Sequence, residues 1–366
     1  MNIKRNILLN PGPATTTDTV KMAQIVSDIC PREKEFGEVM EFIIEELTSF
    51  VADTKDYTAV LFGGAGTAGV EAVLSSICNG KKILVINNGS YSERMIEILS
   101  TYDADFYNYE SDLIKPIDYQ KLEEVLKSSN FDYICAVHNE TGTGLLNDIG
   151  HIGLLAKKYN IEFIVDAMSS YAGIPIDMKK MNIHFLIASS NKNIQGMAGI
   201  AFVICNRVSL ERLKNIKSKS YYLDLYAQYS NFTKTKQTRF TPPVQTLYAL
   251  KQAVIETKEE TIENRNKRYT ESFETLILGL KKLNLKLLLD YECQSKIITA
   301  IFEPECEGYN FDNMHNYLYE RGFTIYPGKI SNFNTFRVAN IGAIDKNDIS
   351  DFLNILEEYL KSIKYI

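Results

Sequence analysis

The chain has 366 residues, of which 45% are hydrophobic and 23% are charged, and its formal net charge is −6. This composition is that of a globular protein large enough for one large and one smaller domain. The acidic balance argues against a nucleic-acid partner, which needs a basic face, and no apolar stretch approaches the length of a membrane span.

The cysteines and the N-terminal residues point to the same compartment. The sequence has six cysteines without CxxC spacing, which predicts reduced core thiols in a cytoplasmic protein and neither a metal site nor a disulfide framework. The apolar run near the N-terminus is too short for the core of a signal peptide. We therefore expect a cytoplasmic location.

Short apolar runs alternate with amphipathic stretches from about residue 57 to 205. Strands are predicted at 58–62, 82–87, 132–137, 161–166, 185–188 and 200–205, and helices at 67–77, 90–102, 119–126 and 149–159. Continuously apolar strands separated by helices are typical of a mostly parallel sheet that is covered on both faces. The pattern predicts an α/β fold.

The pattern changes beyond residue 205. The polar and aromatic stretch 217–236 has no clean period and predicts a long excursion, which a partner subunit could receive. Thr241-Pro-Pro then opens one long helical pattern that reaches about residue 283. Strands near 285–289, 296–302 and 335–339, together with helices at 311–321 and 346–361, predict a small α+β domain.

A glycine-rich turn, Gly63-Gly64-Ala65-Gly66-Thr67, follows the first predicted strand and opens a helix. The free amides and positive dipole end of a helix suit a phosphate, and glycines let the backbone approach it closely. The turn is neither GxxxxGK[ST] nor GxGxxG, which disfavours nucleoside triphosphates and NAD. An ordinary strand-to-helix turn would have the same sequence.

Asp166 and Lys192 each follow a buried apolar run, and they are 192 − 166 = 26 residues apart. A carboxylate at the end of a buried strand needs a partner, although Asp166 could simply cap the next turn. Lys192 could be an ordinary solvated loop lysine, as most lysines are. A lysine, an acid and a phosphate turn at strand ends are what pyridoxal phosphate (PLP) requires. The lysine forms a Schiff base and the acid pairs with the pyridine nitrogen.

Two further strand ends carry candidate cofactor contacts. Tyr91 follows the second strand, where its ring could stack on a pyridine ring or simply pack behind a Ser90 helix cap. The segment 138–144 lies at the carboxyl end of the third strand, where ligands bind in open α/β sheets. Thr141 is the expected contact there, and His138 is expected to be a packed or positioning residue.

Two arginines could hold an anionic substrate with their planar donors. Arg337 lies in a predicted strand of the small domain, and Arg32 lies in Cys30-Pro-Arg-Glu33. A surface ion pair with Glu33 or Glu35 is an equally good explanation of Arg32.

These residues together resemble a known family over the whole chain. The sequence resembles the class V, fold type I PLP-dependent aminotransferases, and most closely the 2-aminoethylphosphonate transaminases. Ser190-Asn-Lys-Asn-Ile-Gln-Gly196 is the most specific block. The other matching stretches are 9–13, 15–17, 63–67, 70–74, 87–91, 94–95, 138–144, 166–170 and 239–243.

The resemblance implies a role for each cofactor contact. Lys192 would form the Schiff base, Asp166 would pair with the pyridine nitrogen, Tyr91 would cover the ring, and Thr141 would lie near its oxygen substituent. The phosphate would be held by Ala65, Gly66, Thr67, Asn191 and, from the other subunit of a homodimer, Thr241.

The resemblance also implies a substrate pocket. Arg337 would take the carboxylate of the amino or oxo acid, with Arg32, Asn10 and Gly12 as further substrate contacts and no metal. Phosphonate-degrading relatives have Cys-Thr-Trp-Asp where this chain has Cys30-Pro-Arg-Glu33. An arginine in place of an aromatic ring could change how the anionic end of the substrate is held.

The resemblance divides the chain into an N-terminal segment near the active site (1–20), a large PLP-binding domain (21–255) and a small C-terminal domain (256–366). The expected reaction interconverts 2-aminoethylphosphonate plus pyruvate and phosphonoacetaldehyde plus alanine. Alternatives are an alanine–glyoxylate or serine–pyruvate aminotransferase, or a lyase of the cysteine-desulfurase type, although no cysteine lies in an obvious mobile loop. A non-catalytic scaffold is disfavoured because both Lys192 and Asp166 are present.

Overall fold

The computed structural model describes residues 3–328, 330 and 332–366. The strands of these residues are, in chain order, β1 (Ile7–Leu8), β2 (Tyr57–Gly63), β3 (Lys82–Asn87), β4 (Asp105–Glu110), β5 (Tyr133–Val137), β6 (Asn139–Glu140), β7 (Leu145–Leu146), β8 (Glu162–Asp166), β9 (Ile183–Ser189), β10 (Ile200–Asn206), β11 (Ile298–Phe302), β12 (Phe323–Thr324), β13 (Tyr326–Pro327) and β14 (Thr335–Ala339).

The helices of the same residues are α1 (Asp18–Met22), α2 (Lys34–Ser49), α3 (Gly66–Ile77), α4 (Ser90–Thr101), α5 (Tyr119–Ser128), α6 (Ile149–Lys158), α7 (Arg207–Arg212), α8 (Leu225–Thr235), α9 (Val244–Glu260), α10 (Ile262–Lys282), α11 (Phe311–Glu320) and α12 (Lys346–Ser362). Two short 3₁₀ turns lie at Leu213–Asn215 and Tyr291–Cys293. No helix in this described part of the chain is long and apolar enough to span a membrane.

Seven strands form the central sheet in the order β2-β10-β9-β8-β5-β3-β4. Only β10 runs against its neighbours, so the sheet is mostly parallel, as the sequence predicts. The carboxyl ends of β2, β3, β5, β8 and β9 therefore meet at one edge. This edge is where the glycine-rich turn, Tyr91, Thr141, Asp166 and Lys192 all emerge.

Both faces of the sheet are buried, which explains why its strands are continuously apolar. Along β3, Ile83 and Val85 point into one hydrophobic cluster, whereas Leu84 and Ile86 point into the other. Successive side chains of a strand alternate between the two faces, so a strand covered on both sides needs apolar residues throughout.

Beyond residue 205 the secondary-structure predictions are wrong at three places. The expected long helix is two helices, because Thr261 between α9 and α10 has a φ of 68°. The expected strand at 285–289 makes only a single bridge, between Leu287 and Ile301. The excursion at 217–236 contains helix α8, which a run of tyrosines and polar residues conceals.

The N-terminal segment connects the C-terminal part of the chain to the loop that follows β9. Strand β1 pairs in parallel with β12, and a further bridge joins Thr15 to Gly342. On its other side, Ala14 N donates to the carbonyl of Asn191 at 2.9 Å. Residues 7–15 are thereby fixed next to the loop that follows β9.

Candidate active site

Asp166 and Lys192 line the same small cavity at the carboxyl edge of the central sheet. Tyr91, Asn139 and Thr141 line it as well, so four of the predicted cofactor contacts come together. Each lies at or just after the end of a different parallel strand, and the strand order places those strand ends side by side. The assembly is therefore a direct result of the sheet topology.

Asp166 is a buried carboxylate with an altered pKa. It is 4% exposed, and its Oδ1 accepts a hydrogen bond of 2.8 Å from Met168 N. Burial raises the pKa of Asp166 to about 6, opposed by that hydrogen bond and by the charges of Arg94 and Lys192. A positively charged ring nitrogen beside this group would favour its ionised form.

Lys192 lies between the sheet edge and the N-terminal segment. Its Nζ donates to the carbonyl of Pro11 at 2.6 Å. The contact depends on Gly12, whose φ is +129° and where a β-carbon would overlap the end of the lysine. Asn10 is buried nearby and donates to the carbonyl of Pro13, while its Oδ1 has no hydrogen-bond partner.

The glycine-rich turn forms the start of helix α3. Gly64 has a φ of +151°, and Ala65 is the N-cap residue, whose side chain makes no capping hydrogen bond. A β-carbon on Gly66 would collide with Met168, which packs against the turn. The first amides of α3 thus lack a side-chain cap and are available to an anion.

Arg337 is held rigidly in the structure. It is 5% exposed, with Nε donating to the carbonyl of Pro327 at 2.9 Å and Nη1 to that of Thr141 at 3.0 Å. Burial lowers the pKa of Arg337, and the nearby Tyr91 and Glu140 oppose that change. These bonds engage two of the five N–H groups of the guanidinium and fix its orientation. The remaining N–H groups can bind an anion.

Arg32 and Thr241 lie elsewhere. Arg32 is exposed and donates to Gln237 Oε1 at 2.9 Å and to the carbonyl of Thr238 at 3.1 Å. The alternative explanation of this residue, an ion pair with Glu33 or Glu35, is not observed. Thr241 is exposed as well. Residues 28–31 and 241–245 line one open depression of the surface.

Three site residues were not assigned from the sequence. Asn139 lines the cavity, and Glu140 is fully buried and accepts from the amides of Tyr91 at 3.2 Å and Gly142 at 3.0 Å. Arg94 donates to Thr67 Oγ1 at 3.4 Å. In the sequence these residues are marked only by lying in stretches that match the family, 138–144 and 94–95. Their contacts are visible only in the folded structure.

His138 is buried behind the cavity, as expected for a packed residue. Its Nδ1 lies 2.8 Å from Ser170 Oγ, and its amide donates to the carbonyl of Asp166. Burial lowers the pKa of His138 to about 4, so the ring is neutral near pH 7. Asn191 accepts from Ser189 Oγ at 3.0 Å next to the lysine.

The donor set of the cavity fits PLP. Asn139 Oδ1 is buried without a hydrogen-bond partner, and Asp166 is a buried carboxylate without a salt bridge in the described part of the chain. A bound group with a hydroxyl, a protonated ring nitrogen and a phosphate would satisfy Asn139, Asp166 and the uncapped amides of α3.

Comparison with known proteins agrees with this chemistry. The family model for class V aminotransferases matches residues 19–341. The chain is 39% identical to a 2-aminoethylphosphonate–pyruvate transaminase of Salmonella schwarzengrund, over 97% of this chain and 98% of the relative. It is also 39% identical to a bifunctional phosphonoacetaldehyde hydrolase/aminoethylphosphonate transaminase of Clostridioides difficile, although it spans only 56% of that protein.

A solved structure confirms the expected fold class. The ureidoglycine–glyoxylate aminotransferase of Bacillus subtilis superposes with a TM-score of 0.90 at 23% identity, covering 100% of this chain and 95% of that chain.

Proposed function

Because this chain belongs to the class V aminotransferase family, and is thus a PLP-dependent transaminase, we propose that it interconverts 2-aminoethylphosphonate plus pyruvate and phosphonoacetaldehyde plus alanine. The observation that supports it best is the arrangement of Lys192, Asp166 and Arg337. The first two line one cavity, and Arg337 is bonded to Thr141 at its rim.

Each of these side chains has one task in the proposal. PLP, when bound, supplies an electron sink that stabilises negative charge at the substrate carbon. Asp166 would stay ionised and keep the ring nitrogen protonated, while Lys192 Nζ would move the proton between the substrate carbon and the C4′ carbon of the cofactor. Tyr91 covers the ring, and Thr141 and Asn139 orient it from the rim.

The cofactor phosphate is assigned to the start of α3. Ala65, Gly66 and Thr67 would hold it there, with Asn191 beside the lysine loop. Support comes from the uncapped helix start and from the tight packing of Gly66 against Met168.

The substrate contacts belong to the same proposal. Arg337 would bind the carboxylate of pyruvate or alanine and the phosphonate of the other substrate pair in turn. Its two hydrogen bonds to backbone carbonyls hold the guanidinium ready for either anion. Asn10 and Gly12 would contact substrate from the N-terminal segment, next to Lys192.

A homodimer with shared active sites completes the proposal. Arg32 and Thr241 are both exposed, and Pro31, next to Arg32 in the chain, lines the same open depression as Thr241. Tyr221 and Ile25 are exposed as well, at 79% and 71%. Exposed aromatic and aliphatic side chains of this kind are typical of protein interfaces. A second copy would cover them and bring Arg32 and Thr241 to its own cofactor site.

The test is a substrate panel with the PLP-loaded protein. We expect 2-aminoethylphosphonate to convert the cofactor to its amine form faster than alanine, serine or other simple amines do, and pyruvate to restore it with formation of alanine. A preference for glyoxylate with serine or alanine, and no response to the phosphonate, would favour the alternative aminotransferases. The cytoplasmic location stays a prediction.

A further inference from the structure

Arg94 lies between the phosphate turn and the ring-covering tyrosine. It follows Tyr91 by one turn of α4, and its Cζ is 5.2 Å from the centre of the Tyr91 ring. Its Nη1 reaches Thr67 Oγ1 at 3.4 Å, at the start of α3. The guanidinium therefore connects the two helices that begin at the cavity edge.

Arg94 forms no salt bridge in the described part of the chain. Within residues 3–328, 330 and 332–366, no Asp or Glu oxygen lies within 4 Å of its guanidinium nitrogens. The single bond to Thr67 is long for a hydrogen bond. Arg94 is half-buried, and its one long hydrogen bond leaves the other N–H groups of the guanidinium available to an anion.

The phosphate turn itself contributes no full positive charge. Residues 63–67 offer backbone amides, the helix dipole and the Thr67 hydroxyl. A phosphate monoester carries a charge of about −1.5 to −2 at pH 7, more than a single helix end neutralises. Arg94 is the charged donor that directly contacts this turn among the described residues.

We propose that Arg94 binds the phosphate of the cofactor and supplies the positive charge that the turn lacks. The guanidinium would exchange its long bond to Thr67 for charge-assisted bonds to phosphate oxygens. This assignment rests on the family's cofactor and is independent of which amino donor the enzyme uses.

The test compares PLP with pyridoxal, which lacks the phosphate. Apoprotein of the wild type, Arg94→Met and Arg94→Lys would be titrated with each compound by equilibrium dialysis, with Arg321→Met as the control for an arginine that stacks on a tyrosine away from the site. We expect Arg94→Met to weaken PLP binding about 10- to 100-fold and pyridoxal binding less than about 3-fold. Lysine should restore part of the loss.

An equal loss for both compounds, or none for either, would overturn the proposal, because Arg94 would then act through Tyr91 or not at all. If the methionine variant does not fold, Arg94→Gln and Arg94→Lys carry the same comparison. Wild-type apoprotein that binds pyridoxal as well as PLP would instead contradict the phosphate site itself.

A second measurement observes the phosphate directly. The ³¹P resonance of bound PLP should stay at its dianion position from about pH 5.5 to 8 in the wild type, since a bound cation disfavours protonation. In Arg94→Met it should titrate near the free value, about pH 6. Identical profiles would show that Arg94 does not contact the phosphate. Neither measurement requires 2-aminoethylphosphonate, so a wrong substrate assignment would leave both readouts unaffected.

Discussion

The end of Lys192 occupies the space that a side chain on Gly12 would need. A β-carbon at residue 12 would overlap Nζ, Cδ and Cε of the lysine, and the φ of +129° is one that glycine adopts far more readily than other residues. The N-terminal segment thus shapes the position of the amine.

Gly12→Ala should displace Lys192 more than it destabilises the fold. The lysine is flexible and can move away, but its amine then no longer lies at the cavity. We expect a loss of covalent PLP attachment, measured by borohydride reduction and peptide mapping, and a fall in kcat of about tenfold or more. The control is Gly322→Ala, a glycine of φ +89° with nothing near a new β-carbon. Equal effects in both variants would show that the loss comes from backbone strain and not from displacement of Lys192.

Lys192→Ala should abolish transamination and leave the protein folded. Without the amine no proton can be moved at the substrate carbon, yet the other contacts still hold PLP. The variant should bind PLP without any borohydride-reducible bond. A pyridoxyl label on a different lysine of the reduced wild type would contradict the assignment.

Asp166→Asn should lower kcat by about 100-fold or more, because an amide cannot stabilise a protonated ring nitrogen by charge. Near-normal turnover would show that Asp166 only caps a turn.

The same variant gives a pH-dependent stability difference in the apoprotein. The pKa of Asp166, about 6, lies above the ordinary value near 3.9, so ionisation costs folding free energy. The stability that the neutral Asp166 carboxyl contributes is fully present below about pH 4 and is lost as pH rises through about 6. At pH 8 the asparagine apoprotein should therefore be more stable than the wild type by about 1–3 kcal/mol, and the curves should converge toward pH 4 in urea unfolding.

Arg337→Ala should weaken both half-reactions. Truncating a buried arginine that holds an anion typically costs about 2–5 kcal/mol, or about 30- to several thousand-fold in kcat/KM. Single-turnover absorbance with alanine and with 2-aminoethylphosphonate measures each half separately. Arg337→Lys should recover little, since lysine cannot reproduce two fixed hydrogen bonds. A loss confined to one substrate would contradict the shared-anion role.

Arg32→Ala should affect the phosphonate half-reaction more than the alanine one, because the phosphonate carries extra charge. The structure adds a sharper test, since Arg32 lies on the surface proposed for the partner. Mixing Arg32→Ala chains with Lys192→Ala chains should restore phosphonate activity in hybrid dimers, where an intact lysine meets an intact arginine from the other chain. An unaffected phosphonate half-reaction in Arg32→Ala would make Arg32 a surface residue only.

The sequence predicts the elements that build the site well. Asp166 and Lys192 follow apolar runs that become adjacent parallel strands, β8 and β9, so a one-dimensional pattern was enough to place them at the same edge. The helix start at Gly66 is readable for the same reason, because glycines after a strand mark the turn.

Residues whose role depends on a distant contact could not be read this way. Glu140 looks like any polar residue of a loop, yet its carboxylate accepts from Tyr91, 49 positions earlier. Edge strand β4 was missed because only Tyr109 of its residues is buried, which leaves no apolar pattern. The domain boundaries at 20 and 255 stay a prediction.

The position of Pro11 couples the lysine to the C-terminal part of the chain. Residues 7–15 are bonded to Phe323 and Gly342 on one side and to the loop of Lys192 on the other. Any movement of the C-terminal part of the chain relative to the central sheet would shift the Pro11 carbonyl and change its hydrogen bond to the Lys192 amine. A movement caused by substrate binding would then reach the Lys192 amine without a direct contact between the C-terminal part of the chain and the lysine. A change in hydrogen exchange at the Ala14 amide on adding substrate would reveal it.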